Sequence, residues 1–204
     1  ESLSFYAQTT MPLSDDVRLI TGLRYTDDEV ESTVTNFFGP TPAFINPSTE
    51  DVTGRLALEW DSSDDTLIYA SYTRGLKPGG SNLTFSEGDD ALVRSAFEDE
   101  TIDAYELGFK SEFMDRTVRT NVAAFYYDYT NLQFQASDFN EFGSGVANIP
   151  SSEIYGLEVE FTALLGERFS LDAKLAFSES EVSEDYLALD NRLLIEDVFL
   201  ADGV

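Results

Sequence analysis

Residues 154–177 read IYGLEVEFTALLGERFSLDAKLAF, two alternating runs on either side of Gly166, Glu167 and Arg168. In the first, Tyr155, Leu157, Val159, Phe161 and Ala163 share one parity, and Gly156, Glu158, Glu160 and Thr162 hold the other. In the second, Phe169, Leu171, Ala173, Leu175 and Phe177 alternate with Ser170, Asp172, Lys174 and Ala176. Successive side chains of a strand point to opposite faces, so a period of two predicts two strands, each with one apolar face. The fold turns on what lies against that face, a protein interior or lipid.

The same period recurs outward in both directions. Leu3, Phe5, Ala7 and Thr9 form one apolar set, Val17, Leu19, Leu23 and Tyr25 another, and Val52, Leu56, Leu58 and Trp60 a third. In residues 66–75, Ile68, Ala70 and Tyr72 form the better apolar face, against Leu67 and Tyr69 on the other parity. Tyr105, Leu107, Phe109 and Phe113 precede a turn at Asp115 and Arg116, and Val118, Val122, Ala124 and Tyr126 follow it. That turn sets Phe113 against Val118, Phe109 against Val122 and Glu112 against Arg119. A turn at 166–168 sets Val159 against Leu175 and Glu160 against Lys174. Opposite charges facing each other across strands support this register. A one-residue slip would scramble both faces. The count is about eight strands, with no helical periodicity.

Composition removes several function classes. With 12 Lys and Arg against 39 Asp and Glu, the formal net charge is −27. Such a chain repels nucleic acid, whose phosphates need basic side chains. There is no Cys and no His, so disulfides, thiolate nucleophiles, imidazole acid–base chemistry and the usual nitrogen and sulfur metal ligands are excluded. No apolar run is long enough for a transmembrane helix. A membrane strand needs only about 9–11 residues, half of them apolar. The 16 Phe and 10 Tyr suit strands.

Connection lengths decide between faces. Turns near 12–16, 61–65, 115–116 and 166–168 are tight, whereas connections near 35–50, 77–100, 136–148 and 184–204 are long. A meander alternating this way is expected of an outer-membrane barrel. Tyr25, Tyr72, Tyr105, Tyr126, Tyr127 and Tyr129 stand where strands enter the loops, as an aromatic girdle would. The expected lipid-facing set is Leu107, Phe109, Val122, Leu157, Val159, Phe161, Leu171 and Leu175. Glu112, Arg119, Glu158, Glu160 and Lys174 form the expected polar patch toward the lumen. Two other architectures also accommodate the pattern: a small closed eight-stranded outer-membrane barrel with a structural or adhesive role, and a soluble ligand-binding β-barrel.

Taken together and in order, residues 4–26, LIYASYTRGLKPGGSN (67–82), YELGFK (105–110), AAFYYDY (123–129) and YGLEVE (155–160) resemble the barrel of TonB-dependent outer-membrane receptors. The resemblance implies an all-β, antiparallel, up-and-down transmembrane barrel segment: about eight strands of a barrel of roughly 22, with short periplasmic turns and long extracellular loops. Residues 1–204 would then be a partial barrel domain. The implied function is import of a scarce nutrient, such as a ferric siderophore or another bulky ligand, powered through TonB. The implied partners are outer-membrane lipid, the small-molecule ligand, and the TonB complex through other parts of the full-length protein. No enzymatic role, cofactor or metal is expected. ESLSFYAQTT at the start is already strand-like, and EDVFLADGV at the end has no terminating element, so both ends read as cuts within a longer barrel.

Arg74, Lys77 and Asn82 lie in or beside the Gly-rich stretch GLKPGGSN (75–82). This lacks the ending of a phosphate-binding loop and reads as a strand leaving for a long loop. The resemblance makes all three candidate ligand contacts. Acidic clusters at 27–29, 89–90, 98–100 and 179–185 read first as a solvated surface, with Ca²⁺ the alternative, although no EF-hand spacing occurs. Glu158 and Glu160, two apart on one strand with Lys174 opposite, read as lumen electrostatics rather than a glycosidase pair.

Overall fold

The computed structural model describes residues 1–30, 32–34, 43–45, 47–82, 96–138, 143–166 and 168–182. Every regular element among them is a strand. The elements are β1 (Ser2–Pro12), β2 (Val17–Glu29), β3 (Ser32–Val34), β4 (Ala43–Ile45), β5 (Ser48–Ser63), β6 (Thr66–Lys77), β7 (Gly80–Ser81), β8 (Ala96–Phe97), β9 (Glu100–Phe113), β10 (Val118–Asp138), β11 (Gly143–Leu164) and β12 (Ser170–Val182).

Eight strands form one antiparallel sheet in the order β1-β2-β5-β6-β9-β10-β11-β12. Each long strand pairs with the next long strand in the chain, which is an up-and-down meander. β1 and β12 are its two edges and do not pair with each other, so the described sheet is open. The short pairs β3–β4 and β7–β8 form two separate ribbons inside the connections that the sequence reading left as loops.

The register follows from the turns. Phe113 faces Val118, Phe109 faces Val122 and Glu112 faces Arg119. Val159 faces Leu175 and Glu160 faces Lys174. Asp115 and Arg116 have φ of 55° and 64°, and the Thr117 N–H donates to the Met114 carbonyl at 3.1 Å. Met114 before them also has a positive φ, of 51°; the positive values at the two central residues match the right-handed strand twist and close a two-residue hairpin.

The meander sorts the side chains onto two faces. On one stand Phe5, Leu19, Leu58, Ile68, Leu107, Val122, Val159 and Leu175, and the Ile68, Ala70 and Tyr72 parity of β6 falls with them. Among the described residues this face has no protein partner: Leu107 is 59% exposed, Leu157 43% and Leu175 69%. Among the described residues the only buried hydrophobics are Ala57 and Ala163, and no large side chain is fully buried. A soluble β-barrel of this size needs a packed interior; here the apolar side chains cover one exposed face of a single sheet.

The connection at 136–148 departs from expectation. β10 and β11 run 21 and 22 residues and stay paired as far as Asp138 and Gly143. The long loop is therefore mostly a ribbon. At about 3.4 Å per residue each strand is some 70 Å long, about twice what a bilayer requires of a strand. β9 stops pairing at Thr101–Thr130 and β12 at Val182–Ser152. Beyond those points no described strand pairs with the outer edges of the ribbon. Within it, Asn131 takes a φ of 55° at the level of Pro150, which has no N–H to offer the ladder.

Candidate functional site

The polar face is ordered in cross-strand rows. One runs Lys110, Asn121, Glu160, Lys174 across β9 to β12. The Lys174 ammonium donates to Glu160, and the Asn121 amide reaches the same carboxylate at 3.3 Å. In the next row toward the turns, Arg119 donates to Glu112 at 2.7 and 3.0 Å, and the Thr162 hydroxyl donates to Asp172 at 2.9 Å. Arg116, in the turn, lies 3.3 Å from Asp65 and 3.5 Å from Glu112. On β2 and β5, Arg18 bridges Glu59 and Asp61. Glu112 and Arg119 thus belong to one cluster, and Glu160 and Lys174 to a second in the adjacent row. Glu158 stands one row higher, exposed, between Ala123 and Ala176. A concavity of about 950 Å³ opens on this face at the tight-turn end, lined by Asp61, Asp65, Lys110, Glu112, Arg119 and Asn121 among others.

Above the charged rows the polar face turns aromatic. The Tyr69 ring lies over Gly108, where an added Cβ would come within 2.5 Å of it, and Phe125 lies over Gly156, where the figure is 2.6 Å. The Tyr69 hydroxyl donates to Glu106 at 2.6 Å, and the Lys110 ammonium is 5.5 Å from the same ring. Phe125 and Tyr127 stack with centroids 4.8 Å apart. The glycines of YELGFK and YGLEVE are thus seats for the neighbouring strand's rings, a device that covers a glycine's bare backbone.

The apolar face ends in a row of tyrosines. Tyr72, Tyr105, Tyr126 and Tyr155 occupy one level of β6, β9, β10 and β11, with Tyr72 and Tyr105 centroids 5.2 Å apart and Tyr105 and Tyr126 6.2 Å. Tyr25 stands on the same face of β2. Carboxylates begin immediately beyond: Tyr72 donates to Asp103 at 2.5 Å and Tyr25 to Glu50 at 3.1 Å. Tyr127 and Tyr129, expected in this girdle, lie on the polar parity instead, opposite Ala104 and Ile102. In a YYDY run only alternate tyrosines can share a face. Tyr155, on the other strand of the hairpin, belongs to the row and was missed.

The three loop candidates lie apart. Arg74 is within β6, on the parity of Tyr72, and pairs with Asp103 at 3.0 Å and Asp51 at 3.8 Å. Lys77 ends β6 and lies 3.6 Å from Glu100. Asn82 is buried. Its Nδ2 donates to the Val146 carbonyl at 2.9 Å, and its Oδ1 accepts from the Val146 N–H at 2.6 Å. Sequence reasoning missed the residues around it. The Glu98 N–H donates to Asn148 Oδ1 at 2.8 Å, and Asn148 Nδ2 donates to the Glu98 carbonyl at 3.0 Å. Gln133 donates from its N–H to Glu100 and from its amide to the carbonyls of Lys77, Pro78 and Glu98. Asp99 accepts from the Thr49 hydroxyl and the Gly79 N–H. Of the acidic clusters, 89–90 and 183–185 lie outside the described residues. No group of three or more acidic side chains among the described residues is placed to hold a metal.

Known proteins share this arrangement. The family model for the TonB-dependent receptor-like β-barrel matches residues 1–195. A probable TonB-dependent siderophore receptor of Acinetobacter baumannii is 21% identical over 91% of this chain and 24% of its own length. The pesticin receptor of Yersinia pestis is 26% identical over 91% and 27%. Among solved structures, the ferric yersiniabactin uptake receptor of Yersinia pestis superposes with a TM-score of 0.73, at 23% identity, over 90% of this chain and 27% of that one. A copper transporter superposes with a TM-score of 0.70, at 17% identity, over 92% and 30%. The chain spans about a quarter of the length of the curated relatives it matches.

Proposed function

Because the chain belongs to the TonB-dependent receptor β-barrel family of the bacterial outer membrane, we propose that it is part of the wall of a receptor that imports a ferric siderophore-like nutrient with energy from TonB. The observation that carries this reading is the two-faced open sheet. One face is apolar, without protein partner among the described residues and bordered by a tyrosine row; the other holds rows of cross-strand ion pairs. In this reading Leu107, Phe109, Val122, Leu157, Val159, Phe161, Leu171 and Leu175 meet lipid. Glu112, Arg119, Glu158, Glu160 and Lys174 face the lumen. Strands satisfy their backbone groups in hydrocarbon only when every edge is paired, so β1 and β12 each take a further strand of the full barrel. The role is binding and transport, with no bond made or broken by these residues.

The relatives' printed names favour iron complexes: two are siderophore or ferric receptors by name. The test is uptake of radioactive iron by iron-starved cells, supplied as a ferric hydroxamate and, separately, as a ferric catecholate. Deleting the full-length gene should abolish uptake of one of them, restoring it should recover uptake, and removing TonB should abolish it again. Uptake indifferent both to the gene and to TonB would refute the proposal.

A further inference from the structure

The β10–β11 ribbon outruns its neighbours, and that creates a problem the described residues solve in one place. On the ribbon side of Thr130 and Ser152, no described strand pairs with the outer edges of β10 and β11. Bare N–H and C=O groups on such edges invite wrong pairing. Asn82, at the described start of the connection between β6 and β9, and Glu100, the first residue of β9, bind these two edges with their side chains. Asn82 binds both backbone groups of Val146 on β11, as an opposing strand residue would. Glu100 accepts the Gln133 N–H on β10 at 2.7 Å. The exchange also runs in reverse: Asn148 of the ribbon binds both backbone groups of Glu98 in the connection. Two side-chain amides thus make the same two-bond pairing in opposite directions. Asp99 ties the unit to β5 through buried Thr49.

We propose that Asn82 and Asn148 are positioning residues that lock the two described ends of the β6–β9 connection, at Asn82 and at Glu98, to the β10–β11 ribbon, so that these ends and the ribbon move as a single recognition arm at the mouth of the barrel. A buried amide that loses one partner leaves the other unsatisfied, so opening either pair destabilises the other. As a recognition arm it rests on the receptor reading. The lock itself is a property of the ligand-free protein.

The test is hydrogen exchange, read by mass spectrometry on the full-length protein in lipid nanodiscs without ligand, over peptides covering 96–100 and 145–148. Asn148→Ala should speed exchange in both peptides, by about tenfold or more for a two-bond loss. Asn82→Ala should do the same. Asn82→Asp keeps the acceptor for the Val146 N–H and loses the donor, so it should fall between. Unchanged protection around Val122 reports an intact barrel. If each alanine variant loosens only its own contact peptide, the arm is not a single body and the proposal fails. If an alanine variant does not assemble, the milder Asn82→Asp decides: faster exchange at 96–100 supports the lock and an unchanged rate there refutes it. Failure of iron uptake would count against the receptor reading and leave these exchange results standing.

Discussion

Val159 and Glu158 are adjacent in the chain and on opposite faces of β11, which makes them a matched pair for locating the hydrocarbon. Val159 sits between Val122 and Leu175. From Tyr155 to Ala163 is about eight residue steps, or about 27 Å along the strand. At a tilt of about 40° that is roughly 21 Å along the membrane normal, close to the apolar band of about 25 Å in such barrels. Val159 lies halfway, roughly 10 Å from either rim on that tilt. An Arg there cannot bring its guanidinium to a headgroup without thinning the bilayer. The cost at the midplane is about 2–4 kcal/mol, or ~30- to 1,000-fold in the folding equilibrium. Glu158→Arg puts the same side chain at nearly the same depth on the polar face, between Ala123 and Ala176, and should stay within about 0.5 kcal/mol of the parent, as exposed substitutions do. Both variants are made in the full-length protein and refolded into lipid vesicles. Urea titration gives stability, and the mobility of unboiled samples on a denaturing gel gives the assembled fraction. Val159→Arg should lose assembly and Glu158→Arg keep it. Equal assembly of the two, or loss of Glu158→Arg alone, would refute the assignment of faces.

Lys174→Gln removes an ion pair whose two side chains are both largely open to water; such pairs contribute little, and the urea midpoint should not move. Gly156→Val drives a side chain into the Phe125 ring and the Phe177 carbonyl. Overpacking of this kind costs about 1–3 kcal/mol, read by the same titration, and Phe125→Ala in the same chain should recover part but not all of the loss because the backbone clash remains. Gly108→Ala should be relieved more fully by Tyr69→Ala, since there the nearest atoms all belong to the Tyr69 ring; no relief in the double variant would show that the ring is not what occupies the space. Arg119→Ala strips Glu112 of its closest cation while Arg116 stays 3.5 Å away, so assembly should persist with a small drop in stability, and complete loss would mean that the cluster holds the sheet together.

The period of two settles more than any other signal in this chain. Alternation, tight turns and facing opposite charges determine the strands, the register of two hairpins and the membership of each face, because the direction of a strand side chain is set by local covalent geometry and survives any tertiary arrangement. That is why Val159, Leu175, Glu112 and Arg119 could be sorted from sequence, and why even the mixed run around Tyr69 fell on the expected parity. The outer-membrane family likewise follows from an ordered set of short motifs.

The tertiary structure decided what alternation cannot express. Tyr127 and Tyr129 leave the girdle, and Tyr155 joins it, because a row across a sheet is made by partners on neighbouring strands rather than by neighbours in the chain. The ring seats at Gly108 and Gly156 exist only once Tyr69 and Phe125 arrive from other strands. Residues 136–138 and 143–148 are mostly polar or small and read as loop, yet they remain paired because each strand finds its partner in the other. Asn82, a turn residue by composition, is buried for a related reason: its amide meets the backbone of Val146, 64 positions away, on an edge with which no described strand pairs. Contacts of that range depend on where strands end, and strand ends are set by competition among partners that no local pattern encodes.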